Sequence, residues 1–344
     1  MSKNRFFLRQ YSFENYQHGG IGYADAEKIL QDNGYRPIEF PGHYQFSPAA
    51  KLKRVVYLLR TVFSIPAGST VIFLFPVYAR LQGLLLRSLR FKKGLRIICF
   101  IADIDGIKDG DPNLLAREIR QLRQNSHFIV HNEAMKQWLL GQLPGVQASA
   151  IGFFDYLATP FRGERKKSPV IVFAGNLGKS RFLESLHLLK SHSPSLHFLL
   201  YGPGITAEMQ VQDTVSYKGL ADPRGLPGLT SGSFGLVWDG DSIVSPEGSL
   251  GLYMQFITHH KVSLYILSGL PLIVPAMAGS AALVKKYGIG ITVDSLFEIG
   301  DAIGKITEEQ YQQMRNNIDG LVAGISTGKQ LITAIKELEE SAGN

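Results

Sequence analysis

The sequence predicts an α/β protein of two doubly wound domains, each a parallel sheet covered by helices on both faces, with a cleft between them. Three observations carry this. Nearly continuous apolar runs recur, such as VIFLF (71–75), IICFI (97–101) and VIVF (170–173), and strands buried on both faces belong to parallel sheets. Segments of helical periodicity separate them, as in repeated βαβ units. The alternation breaks once, at ATPFRGERKKS (158–168), and then restarts. A charged stretch holding Pro and Gly reads as a linker. The 344 residues suit two domains at ~150 residues each.

The first domain reads as strand RFFLRQY, a glycine-rich loop and helix ADAEKILQD closed by Gly34. Strand YRPIEF, helix SPAAKLKRVVYLLRTVF, strand VIFLF and helix RLQGLLLRSLR follow. Strand LRIICFIAD, helix NLLAREIRQLRQ, strand HFIVH and helix EAMKQWLLG complete it. The second domain reads as strand VIVFAG, helix SRFLESLHLLKSH, then strands LHFLLYG, TVSYKG and FGLVWD. A helix over about 252–268, strand PLIVP, helix AALVKKYG, strand GITV and helices at 307–322 and 327–341 close it. The expected limits are 1–158 and 168–325, with 326–344 a helix packing back on the first domain. The uncharged run 262–284 is long enough to span a bilayer. Pro271, Pro275, Gly269 and Gly279 punctuate it, so it reads as helix, strand and helix instead.

Composition narrows the function. Apolar residues make up 45% and charged residues 19%, which excludes a mostly disordered chain. A net charge of +7 favours an anionic partner such as a nucleotide or a phospholipid surface. Basic residues are spread over both halves without stacked aromatics on a basic sheet, which argues against nucleic acid. Cys99 is the sole cysteine, so neither an internal disulfide nor a thiolate metal cluster forms, as suits a reducing cytoplasm. The first residues, MSKNRFFLRQYSFENYQ, show no apolar core of a signal peptide.

Several motifs fail on spacing. GNLGKS (175–180) has Phe173 where a phosphate loop of the Walker type needs Gly. It still offers Asn176, Lys179 and Arg181 around a helix start, where backbone N–H groups favour an anion. HGGIGYAD (18–25) puts Asp25 where a dinucleotide fingerprint needs its third Gly. Its Gly19, Gly20, Gly22 and Tyr23 can bring backbone close to a phosphate or acceptor, or form a plain surface loop. His259 and His260 are adjacent, so they lack the i, i+4 spacing of a helical metal pair. FGLVWDGD (234–241) ends in Asp239-Gly240-Asp241, a D-x-D that can clamp a diphosphate through a metal or simply cap a turn.

CFIADIDGIKDG, FIVHNEAM, FFDYL, VFAGNLGK, FGLVWDGDS and HHKVSLYILSGLPLIV occur in this order and spacing. Together they resemble the bacterial UDP-galactofuranose-dependent galactofuranosyltransferases and the related glucosyltransferases that extend adhesin glycans. The resemblance covers roughly residues 10–340. It implies GT-B architecture, with acceptor bound by the first domain and nucleotide sugar by the second. It also implies inverting transfer without a metal cofactor. Asp103 aligns with the family's aspartate and becomes the expected base, with Asp105 second. Lys261 falls against the donor diphosphate, with Ser263 nearby. Tyr201, Gly202, Gly219 and Leu220 fall beside the uracil, and Asp239 and Asp241 become acceptors for sugar hydroxyls. One departure is Ala102, where the family often has His before the aspartate. A non-catalytic nucleotide-sugar or glycan-binding subunit of the same fold is the alternative. The expected partners are a UDP-sugar and a glycan acceptor, lipid-linked if the basic, leucine-rich stretches at 51–59 and 79–96 touch a membrane from the cytoplasm. Ordinary core packing is the plainer account of those stretches. Oligomeric state stays open.

Overall fold

The computed structural model describes residues 4–10, 20–41 and 47–340. Gly19 and the rest of 11–19 lie outside them. The first domain runs β1 (Arg5–Leu8), α1 (Ile21–Asp32), β2 (Arg36–Ile38), α2 (Pro48–Ser64), β3 (Thr70–Phe75) and α3 (Arg80–Leu89). It continues β4 (Arg96–Ile101), α4 (Asp105–Lys108), α5 (Pro112–Leu122), β5 (His127–Val130), α6 (Glu133–Gln142) and β6 (Gln147–Ala150). The second runs β7 (Val170–Ala174), β8 (His197–Tyr201), α7 (Ala207–Gln210), β9 (Val215–Gly219), α8 (Leu226–Leu229), β10 (Phe234–Leu236) and α9 (Gly248–Tyr253). Then come α10 (His260–Leu267), β11 (Leu272–Pro275), α11 (Ala281–Tyr287), β12 (Gly290–Val293), α12 (Ile299–Lys305), α13 (Glu308–Ser326) and α14 (Lys329–Glu340).

Each domain holds a six-stranded parallel sheet, ordered β2-β1-β3-β4-β5-β6 and β12-β11-β10-β7-β8-β9. The strand order reverses between β1 and β3 and between β7 and β10. Crevices open at the carboxyl ends of strands at such reversals, and the residues after β7 and β10 are Gly175 and Asp239 with their neighbours.

Apolar strands explain the layers. Phe73, Phe75, Cys99 and Ile101 bury one face of the first sheet against Leu58, Leu85, Leu122 and Met135 of α2, α3, α5 and α6. Phe7, Ile72, Leu74 and Phe100 bury the other against α1 and α14. Thus α14 leaves the second domain and lies on the first, through Leu331, Ala334, Ile335 and Leu338. Asp155 caps its start, its carboxylate accepting from Gln330 N at 3.1 Å and Leu331 N at 2.8 Å.

The structure departs from the sequence reading at several elements, and the short helices α4, α7, α8 and α12 also go unforeseen. The segment Arg181–Ser191 is a 3₁₀ helix. The Gln212 amide is inserted there, donating to Leu183 O at 2.9 Å and accepting from His187 N at 2.8 Å, the two groups an α-helix would join to each other. The helix expected over 252–268 is split into α9 and α10, because 254–259 crosses to the first domain and Tyr253 and Ile257 sit in that domain's core. The strand β6, QASA, carries no apolar run and went unforeseen. The run 262–284 forms α10, β11 and the start of α11. No helix among the described residues is long and apolar enough to cross a membrane.

Truncating Ile335 to Ala should destabilise the chain by about 2–5 kcal/mol through the cavity left under α14. Urea unfolding would show it, and a change under about 0.5 kcal/mol, the size of an ordinary surface substitution, would mean α14 is dispensable to that core.

Candidate active site

Two cavities meet in the cleft. One, of about 230 Å³, lies against the second sheet and is walled by Gly175, Asn176, Tyr201, Gly202 and Lys261. The other, of about 190 Å³, lies against the first sheet and is walled by Gly22, Tyr23, Ala102, Asp103 and His131. Ile21, His259 and His260 line both. The start of α1 therefore faces the meeting point, with Gly20 at its N-cap. Gly202 has φ of 130°, and a Cβ there would stand 1.8 Å from Gly175 O; only glycine lets β7 and β8 end so close together. A Cβ on Gly22 would stand 2.2 Å from the His260 ring, so glycine also lets α1 meet α10.

The second-domain cavity is organised by a carboxylate. Asp239, past the end of β10, accepts from Lys261 Nζ at 3.0 Å and lies 2.9 Å from His259 Nε2. Burial opposes its ionisation, but Lys261 and His259 overcome that and hold its pKa well below the carboxylate range. Lys261 Nζ also stands 4.2 Å from the centre of the Phe173 ring, a favourable cation–π placement. Asp241, by contrast, is exposed, with Gly240 at φ 109° turning the chain between them. The two aspartates of D-x-D thus occupy unlike surroundings.

The first-domain cavity holds a second network. Asp103 accepts from Lys108 Nζ at 3.0 Å and from the Tyr253 hydroxyl at 3.4 Å. Lys108 also pairs with Asp105 at 2.5 Å, and the Tyr78 hydroxyl donates to Asp105 at 2.7 Å. Burial raises the Asp103 pKa, opposed by Lys108 and assisted by the Asp105 charge. Burial disfavours charge on Lys108, yet the two aspartates hold its pKa above the usual lysine value. Asp103 lines the cavity and Asp105 does not.

Histidines missed in the sequence fill the junction. His131 Nε2 donates to the carbonyl of Ala102 at 3.1 Å, and Nδ1 accepts from Thr258 N at 3.4 Å. An imidazole therefore braces the very position where the departing Ala102 stands. Burial, with the nearby His260, lowers the His131 pKa to about 3, and burial, with His259, lowers that of His260 to about 4. His260 stacks on Phe154 at 4.0 Å. The adjacency of His259 and His260, a poor metal signal, was the available clue: it puts one ring on Asp239 and the other between the cavities.

Other expected site residues stand apart. Lys179 and Arg181 are exposed and line neither cavity. Tyr201 lines the second-domain cavity, but its hydroxyl accepts from Ser231 N at 3.2 Å. Gly219 and Leu220 are outside both linings, and the Gly219 carbonyl accepts from Gly202 N at 3.0 Å. Ser263 is fully buried and donates to Phe154 O at 2.6 Å, which commits it to joining the domains. Among the described residues, no three His, Cys, Asp or Glu side chains converge as a metal would require.

The chain matches the Glucosyltransferase 3-like N-terminal domain over residues 5–148 and the Glucosyltransferase 3-like C-terminal domain over 171–338. It belongs to the Glucosyltransferase 3-like family. It is 28% identical over 253 residues to the β-1,6-galactofuranosyltransferase WbbI of Escherichia coli K12, covering 71% of each chain. It is 26% identical over 332 residues to glucosyltransferase 3 of Streptococcus gordonii, covering 92% of this chain and 94% of that one. Its fold is similar to sucrose-phosphate synthase from Thermosynechococcus elongatus, with a TM-score of 0.69, 13% identity and coverage of 98% and 100%. It is also similar to Anabaena HepE, solved with UDP and glucose, with a TM-score of 0.62, 11% identity and coverage of 98% of each. This Glucosyltransferase 3-like protein is a glycosyltransferase of GT-B architecture.

The neutral imidazoles give a pH signature. His131 and His260 have pKa values of about 3 and about 4 when folded, against about 6.5 unfolded. The unfolded chain binds more protons between these values, so stability is full above about pH 6.5 and falls as pH drops toward 4. Melting temperature measured from pH 7 to pH 4.5 should fall less steeply in His260→Gln than in the parent. Parallel curves would remove His260 from this dependence.

Proposed function

We propose that this glycosyltransferase moves a hexose from a UDP-sugar to a glycan acceptor in cell-surface polysaccharide or glycoconjugate synthesis, with inversion and without a metal cofactor. Galactofuranose is the favoured sugar and glucose the second, as the two relatives are named a galactofuranosyltransferase and a glucosyltransferase. The observation that carries the reading is the pair of cavities joined at His259 and His260, one holding Lys261 and the other Asp103. In the fold relative HepE the ligand is UDP and glucose, and the Gly175–Gly202 wall is where this chain would take its own nucleotide.

Asp103 is the base. Its carboxylate removes the proton from an acceptor hydroxyl as that oxygen attacks the anomeric carbon. UDP leaves with the bonding electrons, and Lys261 offsets the charge that grows on it. One donor of the Lys261 ammonium holds Asp239, which leaves its others for a diphosphate. Asp239, already matched by Lys261 and His259, positions that lysine rather than a metal. Asp105 tunes Asp103 through the shared Lys108. Lys179, Arg181 and Asp241 are exposed and line neither cavity, so they have no part in this step. A lipid-linked acceptor and a peripheral position at the membrane belong to the same reading.

The purified protein with UDP-galactofuranose and acceptor should release UDP equally well in EDTA. Loss of release in EDTA, restored by Mn²⁺ or Mg²⁺, would overturn the metal-free step. Stabilisation by UDP with no release from any UDP-sugar would favour a binding subunit.

Asp103→Asn should lower turnover by about 10²–10⁴ and leave UDP affinity nearly unchanged. Lys261→Ala should weaken UDP binding and lower kcat further, as calorimetry and steady-state rates would register. An Asp103→Asn enzyme keeping over about half its turnover would move the base elsewhere, since removing a general base costs far more.

A further inference from the structure

The outer face of α2 is built the wrong way round for a helix that only packs on its own core. Leu58 and Thr61 turn inward and are buried. Leu52, Val55, Val56, Leu59 and Phe63 are all exposed, Phe63 at 82%. Their spacing of i, i+3, i+4, i+7 and i+11 gathers them into one stripe about 100° wide. On the same helix Lys53 and Arg60 flank one edge of that stripe and Lys51 the other, as helical geometry requires. The chain end of α3 continues the pattern: Phe91 is 91% exposed and followed by Lys92 and Lys93. The Lys92 ammonium donates to the carbonyl of Ile65 and so ties that end to the end of α2.

Charge is segregated to the same place. Lysine and arginine occur in both halves, yet residues 40–102 hold ten of them and not one Asp or Glu. The other 26 Lys and Arg are outnumbered by all 29 Asp and Glu. The chain's positive balance therefore resides in the segment that forms α2, β3 and α3. In the same helical layer, a cavity of about 450 Å³ opens between α3 and α5, lined by Arg80, Arg87 and Arg90 against Phe75 and Leu86. The two terminal nitrogens of Arg90 hold Gln124 and Asn125, and its Nε is buried without a partner.

We propose that the outer face of α2, with Phe91 and the arginine-lined cavity beside it, docks on an anionic lipid bilayer. The stripe enters the acyl boundary while the flanking cations meet headgroups, and the cavity receives a headgroup phosphate. A second copy of this chain fits poorly, because it would press two acid-free, cationic segments together. Nucleic acid would match the charge and leave the apolar stripe unused. The docking does not depend on which sugar is transferred.

Flotation with vesicles tests it. Phosphatidylcholine vesicles with about three parts in ten phosphatidylglycerol should carry the protein at low salt and release it at high salt, while pure phosphatidylcholine should not. Leu59→Gln with Phe63→Gln should weaken binding at least about tenfold; both side chains are exposed, and an unchanged melting temperature checks folding. Lys51→Gln with Lys53→Gln should weaken it about fivefold per cation removed, and Arg87→Gln should weaken it in the same direction. Failure to float at low salt, binding indifferent to phosphatidylglycerol, or binding unchanged in the Leu59/Phe63 variant would each overturn the proposal. So would a dimer in sedimentation velocity that the same variant dissolves, because the stripe would then belong to a subunit interface. UDP release is read separately, so docking and transfer fail independently.

Discussion

The arrangement of the cleft depends on one carboxylate taken partly out of water. Asp239 follows β10 at the point where the second sheet reverses its order. A charge in that position is costly unless it is matched. Its two partners, Lys261 and His259, lie on either side of His260. Matching Asp239 therefore fixes three consecutive residues. It holds His259 extended, starts α10 at His260, and turns the His260 ring away from Asp239 onto Phe154 of the first domain. His259, which pairs with this partly buried anion, also lines both cavities.

The opposite wall follows a different electrostatic logic. Asp103 and Asp105 are like charges sharing Lys108, so neither is matched by a cation of its own. Their backbone is held independently: Glu118 accepts from Asp105 N at 3.0 Å and Gly106 N at 2.8 Å. The Tyr253 hydroxyl accepts from Ile104 N at 2.7 Å. A carboxylate underpaired in this way keeps affinity for a proton, whereas one paired as Asp239 is does not. Two aspartates at strand ends of similar sheets thereby differ in proton affinity, Asp103 raised by burial and Asp239 lowered by its cations.

Sequence order and packing divide the chain differently. Tyr253 and Ile257 lie in the second half of the sequence and the core of the first domain. Thr258 is held by His131 and Asn132, and α14 returns to cover the first sheet. Asp25 of α1 pairs with Arg224 of the second domain and accepts from Leu157 N at 2.9 Å. The floor of the cleft is thus shared property of both domains, and its neutral histidines suit a place where a charge would lack water.

The sequence by itself determined two parallel, helix-covered sheets and the strand ends that face the cleft, though not the polar edge strand β6. Continuous apolar runs such as IICFI and VIVF can be satisfied only by burial on both faces, and that requirement is local and periodic. Asp103 and Asp239 follow two such runs at strand ends, whereas Lys261 is expected in the cleft only through the family resemblance. Only the tertiary structure decided what those groups do to one another. Lys261 meets Asp239 across 22 positions, and Tyr253 meets Asp103 across 150. No periodicity encodes such pairs. The same holds for Gln212 recasting a helix 25 positions away into 3₁₀ form and for Ser263 being spent on Phe154 O. It holds again for α2, where the pattern shows an amphipathic helix. Which of its apolar residues face the core and which face outward depends on α3 and the sheet beneath it, since burial is a property of the neighbours a residue meets.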